Sequence, residues 1–237
     1  MKPQLILVDG LPGSGKTTLA QELSAHLANN NQVTVYYETT RNHPLHVVPT
    51  DDFGAAWPDI HLRVSPQDFA ERSLERWATF LNILDTGDRV VLESFPFQST
   101  IRVLLQMGAD EKLIESHWHA WKDLQRPIGS HFIYLKTLDP AFQITQIAEQ
   151  RGQYWQEYIS NAVEQMPFAK SRGLSSWSAV EEFMTTYGQL TDRLAEQYNL
   201  PIAILEAQPA DYRRRFEQAL SAIQVEPVRG ETGPLPQ

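Results

Sequence analysis

Cysteine is absent from the 237 residues of the chain. Its absence excludes disulfide bonds, thiolate metal sites and a cysteine nucleophile, and it is compatible with a reducing compartment. Stability must then come from an apolar core. A single compact body of this length buries roughly 70% of the surface that its unfolded chain exposes, so such a core is available.

Long apolar runs are also lacking. No segment approaches the roughly 20 apolar residues that a membrane-crossing helix needs. The first stretch, MKPQLILVDG, has an apolar run of four residues before an acid, which is too short for the core of a signal peptide. We therefore expect a soluble, cytoplasmic protein without a membrane partner.

Positive charge is in short supply, because 20 Lys and Arg residues stand against 29 Asp and Glu residues, for a formal net charge of −9. An acidic surface repels the phosphate backbone of nucleic acids at long range, so we expect no nucleic-acid partner. Any phosphate that the protein binds must enter a local positive pocket.

Five short apolar runs predict buried strands of a parallel sheet. They are Leu5–Val8, Val33–Tyr37, Arg89–Leu92, His131–Leu135 and Ile202–Leu205. Helical patterns fill the gaps over Lys16–Ala28, Gln67–Leu84, Glu111–Leu124, Pro140–Ile159, about 178–198 and Asp211–Ile223. Strands that alternate with helices indicate right-handed βαβ units. We expect an α/β fold of three layers, with a five-stranded parallel sheet in one domain over residues 1–225 and a flexible tail over 226–237.

The stretch GLPGSGKT, residues 10–17, matches the phosphate-binding pattern G-x-x-x-x-G-K-[ST] between a predicted strand and a predicted helix. Its glycines allow the backbone amides to turn inward around a phosphate, and the helix adds its positive end. Lys16 would reach the β- and γ-phosphates, and the Thr17 hydroxyl would hold Mg²⁺. The residues expected to bind the nucleotide are Gly10, Leu11, Pro12, Gly13, Ser14, Gly15, Lys16, Thr17 and Thr18.

Other motifs narrow the class of nucleotide-binding protein. The chain has no N-K-x-D run of the kind that selects guanine, and no L-S-G-G-Q-like signature of transporter ATPases. What remains is the small phosphate-loop kinase, a class that uses ATP and Mg²⁺ as cofactors. Phosphoryl transfer needs mainly positioning and charge stabilisation from the protein.

Four further segments resemble those of the deoxynucleoside kinase and thymidylate kinase group. These segments are VYYETT, VVLESF, IAEQRGQYW and FIYLKTLDP. The resemblance implies the P-loop NTPase fold with a helical lid at about 150–175. It also implies a carboxylate at Glu38, a second at Glu93 and a lid arginine at Arg151, which is expected to bind the phosphates of the nucleotide. The sequence departs from the group at Ser94, where an arginine is expected, and in its lid, where Arg172 is the candidate for a second arginine. Kinases of this group also suggest pairing into a homodimer.

The two carboxylates have overlapping candidate roles. Glu38 is expected to contact the acceptor and take its proton, since ligands bind at the carboxyl edge of a parallel sheet. Glu93 would bind Mg²⁺ together with Thr17, or act as the base itself. Asp9 either lies near the metal or is hydrogen-bonded to the loop backbone. The expected catalytic residues are Lys16, Glu38, Glu93 and Arg151.

The acceptor site is expected to lie in the loops after the second and third strands. Its candidate residues are Glu38, Arg41, His43, Phe97, Gln98 and Arg172. An alternative for ESFPFQS is a helix start with packing aromatics. We expect a kinase that phosphorylates a hydroxyl of a small molecule such as a nucleoside or an antibiotic-like metabolite. A nucleotide kinase, or a nucleotide-binding regulator that acts on a protein partner, stays open as an alternative.

Overall fold

The computed structural model describes residues 4–28, 32–48, 60–85, 87–199, 201–207 and 212–224. Within these ranges five strands form one parallel sheet. The strands are β1 (Gln4–Gly10), β2 (Thr34–Tyr36), β3 (Arg89–Glu93), β4 (His131–Lys136) and β5 (Ile202–Glu206), in the order β2-β3-β1-β4-β5. The predicted five-stranded parallel sheet is therefore confirmed.

Helices connect the strands, and several begin at the residues that their sequences predict. They are α1 (Lys16–Leu27), α2 (Pro66–Asn82), α3 (Arg102–Gln106), α4 (Glu111–Gln125), α5 (Pro140–Arg151), α6 (Gln153–Gln165), α7 (Pro167–Lys170), α8 (Ser176–Glu196) and α9 (Tyr212–Gln224). A short 3-10 turn covers Ile60–Leu62, and a π-helical turn, Phe97–Ile101, leads into α3. The Ser65 hydroxyl accepts a hydrogen bond from the Asp68 amide and caps α2, whose first residue is Pro66.

Both faces of the sheet are covered, because alternate residues of β1 enter two different cores. Leu5 and Leu7 belong to the larger core, which also contains Trp77, Trp118 and Tyr187. Ile6 and Val8 belong to a smaller core with side chains of α1 and α9 such as Leu23, Ala219 and Ile223. This alternation gives the three α/β/α layers, since successive strand side chains point to opposite faces.

The sequence was wrong about two details of the chain path. One helix was expected over Pro140–Ile159, but Gly152 has a φ of 86° and separates α5 from α6. The turn and helix over 97–106 lie outside the predicted helices, and only the alternative of a helix start for ESFPFQS pointed to them, because a run this short carries too few turns to show a period. The predicted tail 226–237 lies outside the described residues. None of the helices in the described ranges is both long and apolar enough to cross a bilayer.

Candidate active site

The phosphate loop connects β1 to α1 and needs glycine at three positions for two reasons. Gly13 and Gly15 have φ values of 79° and 86°, a region that side chains disfavour. A Cβ placed on Gly10 would lie 2.7 Å from the Leu135 carbonyl oxygen on β4, so the loop fits against the sheet only without a side chain there. This close, left-handed path is the backbone form that turns amides toward an anion.

Lys16 is the buried cation of the loop, with 6% of its surface exposed. Its Nζ lies 3.5 Å from the Leu11 carbonyl oxygen, so the side chain folds back over the loop. Leu11 and Ser14 are buried, whereas Thr17 and Thr18 are exposed in the first turn of α1. The predicted phosphate-binding residues therefore form one continuous turn at the carboxyl edge of the sheet.

Glu93 connects the phosphate loop to the end of β2. Its Oε1 accepts a hydrogen bond of 2.8 Å from the Thr17 hydroxyl, and its Oε2 accepts one of 3.0 Å from the Glu38 amide. The parallel pairing of Val8 with Glu93 brings β3 to the start of the loop. A hydroxyl and a carboxylate at contact distance form a hard oxygen donor set that fits Mg²⁺, which keeps several waters and takes one or two protein ligands.

Glu38 sits beside Glu93 with its carboxylate held by two side chains. The Gln98 side-chain amide donates to Oε2, and the Arg102 Nη2 lies 3.6 Å from Oε1. Burial raises the pKa of the Glu38 carboxyl, which Arg102 and Lys16 partly offset. A carboxylate with a raised pKa in reach of the phosphate loop is suited to taking a proton near neutral pH.

The contact of Arg102 with Glu38 was not predicted. Arg102 is 8% exposed, and its Nε also donates to the Gln98 carbonyl oxygen at 3.0 Å. The signal that the sequence held was the spacing of four between Gln98 and Arg102, which puts both on one face of a helix. That spacing carries weight only once residues 97–106 are known to be helical.

Asp9 is hydrogen-bonded to the loop backbone, as the second of its two alternatives predicts. It is fully buried, and its Oδ1 accepts from the Gly10 amide at 2.7 Å. Its Oδ2 accepts from the amides of Phe97 at 2.6 Å and Gln98 at 3.2 Å. Burial raises the pKa of Asp9 to about 7, against the lowering effect of Lys16 and of these three amides. Asp9 therefore fixes the start of the turn that carries Gln98.

Phe97 lies elsewhere than expected. Its side chain is fully buried in the core, with ring centroids 5.1 Å from Trp118 and 5.2 Å from Phe132. The turn that directs Gln98 toward Glu38 directs its neighbour inward, so Phe97 does not line the acceptor side of the site. The alternative interpretation of ESFPFQS, a helix start with packing aromatics, describes this residue correctly.

His43 and His46 pack as a pair on the chain that follows Glu38. The His43 ring stacks at 4.7 Å on His46 and at 4.6 Å on Phe95, and its Nδ1 accepts from the Leu45 amide at 3.1 Å. Burial, and to a smaller extent the nearby His46, lowers the pKa of His43 to about 3, and burial lowers the pKa of His46 to about 4. His46 also hydrogen-bonds the Glu38 backbone. Both rings are therefore neutral at pH 7. Arg41, which lies between Glu38 and His43 in the chain, is exposed.

The two predicted lid arginines differ in their surroundings. Arg151 is exposed at the end of α5, 5.1 Å from the Trp155 ring centroid. Gln143 and Ile147, two turns and one turn earlier on α5, contact the phosphate loop, and Arg151 follows them at the same spacing of four residues. Arg172 instead lies over the Phe168 ring at 4.0 Å and donates to the Phe168 carbonyl oxygen at 3.1 Å. Among the described residues its side-chain contacts belong to α7 and the turn after it.

Two solved structures with the same architecture are thymidylate kinases. A thymidylate kinase from Candida albicans matches with a TM-score of 0.55 and 15% identity, over 94% of this chain and 92% of that one. A thymidylate kinase from Ehrlichia chaffeensis matches with a TM-score of 0.50 and 13% identity, over 95% and 100%. The chain has the thymidylate kinase fold.

Sequence comparison matches a smaller part of the chain than the structural comparison does. Residues 3–87 match the model of the family described as chromatin associated protein KTI12, which covers about a third of the chain. That match includes the phosphate loop and Glu38 but ends before Glu93. No curated protein matches the chain. These comparisons identify the fold but not the substrate, which has to be inferred from the residues of the site.

Proposed function

We propose that this protein is an ATP- and Mg²⁺-dependent phosphotransferase that moves the γ-phosphoryl group of ATP to a hydroxyl of a small molecule. One observation supports it above the others. The Glu93 carboxylate accepts hydrogen bonds from both the Thr17 hydroxyl and the Glu38 amide. It therefore connects the candidate metal ligand Thr17 to the residue that carries the candidate base. The fold of the thymidylate kinases is consistent with this arrangement.

The phosphate loop and Lys16 would hold the triphosphate, and Thr17 with Glu93 would hold Mg²⁺. The metal would neutralise charge that develops between the β- and γ-phosphoryl oxygens. Arg151 would add positive charge from the lid, proposed here as residues 150–175 of a single domain that spans 1–225. Arg172 would have to leave the Phe168 ring to join it.

Glu38 is the better candidate for the base. Glu93 accepts a hydrogen bond from the Thr17 hydroxyl and would bind the metal with it, which leaves Glu38 to face the acceptor. Burial raises the pKa of Glu38, which brings it closer to the operating pH. Glu38 would take the hydroxyl proton, the hydroxyl oxygen would bond to the γ-phosphorus, and ADP would leave.

The acceptor would meet Gln98, Arg102 and the segment that holds Arg41 and His43. Arg102 is paired with Glu38, so it offers the acceptor a partly neutralised charge. This favours an acceptor with an uncharged hydroxyl-bearing body, such as a nucleoside or a similar metabolite. The thymidylate kinase neighbours are named for a nucleotide substrate, so nucleoside monophosphates belong in any test as well.

The test is a screen for phosphorylated product. The protein is incubated with Mg²⁺, γ-labelled ATP and a panel of nucleosides, nucleoside monophosphates, sugars and aminoglycoside-like compounds, and the products are analysed by mass spectrometry. The Lys16→Ala variant should abolish product formation, and the exposed-lysine control Lys112→Ala should not. ATP hydrolysis without any acceptor product, across the whole panel, would refute the kinase proposal.

A second candidate is a nucleotide-dependent regulator that acts on a protein partner. The match of residues 3–87 to a family described as chromatin associated favours it. It predicts ATP binding with slow hydrolysis and no acceptor, so the same screen separates the two functions. A homodimer and a cytoplasmic location remain predictions, and light scattering on the purified protein tests the first.

A further inference from the structure

Two side chains from outside the phosphate loop hold its carbonyl groups. The Gln143 side-chain amide on α5 donates to the Pro12 carbonyl oxygen. The Arg215 Nη1 on α9 donates to the Ser14 carbonyl oxygen at 3.2 Å. Residue 215 lies 201 positions after Ser14 in the chain, and no motif in the sequence predicted this contact.

These contacts determine where two backbone amides point. A trans peptide unit is planar, with its C=O and N–H on opposite sides. The Pro12 carbonyl shares its unit with the Gly13 amide, and the Ser14 carbonyl shares its unit with the Gly15 amide. Because each carbonyl is held outward by a side chain, each amide must face the opposite way, toward the interior of the loop.

The loop needs such a constraint because its glycines make rotation easy. Gly13 and Gly15 both have positive φ and carry no side chain to resist a turn of the neighbouring peptide units. A unit that rotated by half a turn would aim its carbonyl oxygen, a negative end of a dipole, at the phosphate. Fixing the units before the nucleotide arrives avoids that cost at binding.

Arg215 is built for this position. It is 6% exposed, its guanidinium lies 5.2 Å from the Tyr212 ring centroid, and its Nε is buried without a hydrogen-bond partner among the described residues. A Cβ on Gly15 would lie 2.9 Å from its Nη2, so the guanidinium rests against the glycine itself. A buried cation that faces a carbonyl and a ring is stabilised when an anion binds nearby.

We propose that Gln143 and Arg215 are positioning residues of the nucleotide site, which hold the Gly13 and Gly15 amides toward the phosphates from two different helices. The proposal rests on the proposed function only in that the loop binds a polyphosphate. Arg215 also adds its charge to the field at the loop, in a protein whose overall charge is −9.

The first test measures affinity for inorganic tripolyphosphate and for ATP with Mg²⁺, by calorimetry on the full chain. Removing the charged donor in Arg215→Met should weaken both ligands by about tenfold, and Gln143→Met by about fivefold. The control Arg213→Met removes the same charge from an exposed site on α9 and should leave both affinities within about twofold. Equal losses in Arg213→Met and Arg215→Met would reduce the effect to general charge and overturn the proposal.

The second test needs no nucleotide. In ¹⁵N-glycine-labelled protein, Arg215→Met should shift the Gly15 amide resonance and Gln143→Met that of Gly13, because each amide lies in the peptide unit whose carbonyl loses its donor. If Arg215→Met does not fold, Arg215→Lys, which keeps the charge, replaces it. Arg215→Lys should also shift the Gly15 amide resonance. Unmoved Gly13 and Gly15 resonances in folded variants would overturn the proposal. Absence of tripolyphosphate binding by the wild-type protein would instead refute the proposed function, while this spectrum still decides the role of the two side chains.

Discussion

The stacked pair His43 and His46 should make the fold sensitive to acid, and the change His43→Asn tests it. Below pH 6.5 the unfolded chain binds a proton at His43, whereas the folded protein, with the pKa of His43 lowered to about 3 by burial, does not. The free energy of unfolding must then fall as the pH falls through this window, and the loss levels off near pH 3.

The size follows from the pKa difference. One pKa unit corresponds to 1.36 kcal/mol, and pH 5 lies about 1.5 units below the ordinary pKa of histidine. His43 alone should therefore lower the free energy of unfolding by about 2 kcal/mol between pH 7.5 and pH 5. In His43→Asn the new side chain would keep an acceptor for the Leu45 amide, as asparagine does in turns, while the titrating ring is removed.

The assay is urea unfolding followed by tryptophan fluorescence at several pH values from 7.5 to 5. Between these limits the difference in unfolding free energy between the wild type and His43→Asn should change by about 2 kcal/mol in favour of the variant, whatever its value at pH 7.5. The exposed His119→Asn serves as the matched control and should run parallel to the wild type. Parallel wild-type and His43→Asn curves would show that the ring is not buried as the stack requires.

Three further changes test the site. Glu93→Gln removes the carboxylate that joins Thr17 to Glu38, and turnover and the Mg²⁺ dependence of ATP binding should both fall, turnover by about 100-fold or more; unchanged magnesium titrations would contradict the metal role. Glu38→Gln should lower turnover by about 100-fold or more while ATP affinity stays within about twofold, and an equal loss in affinity would speak against a base. Gly13→Ala combines a positive φ with a Cβ 2.6 Å from the Ile147 side chain, so calorimetry should detect little ATP binding, and normal affinity would mean that the loop tolerates a different path.

Much of the fold could be predicted, because it depends on signals that are local in the chain. Apolar runs mark β1, β3 and β4, and Ser65 with Pro66 marks the start of α2. The failures came where a local signal was weak. A single glycine inside a helical pattern does not by itself predict a helix end, but Gly152 has a φ of 86° and ends α5. The turn over Phe97–Ile101 is too short to show a period of apolar residues.

The candidate site divides in the same way. The sequence by itself determined the phosphate loop, because the glycine spacing, Lys16 and the Thr17 hydroxyl within eight residues encode a local backbone path. Only the tertiary structure decided that Arg102 pairs with Glu38, that Phe97 belongs to the core, and that Arg215 holds the Ser14 carbonyl. These contacts join residues distant in the chain, and their geometry depends on the packing of whole helices against the sheet, which no short stretch of sequence encodes.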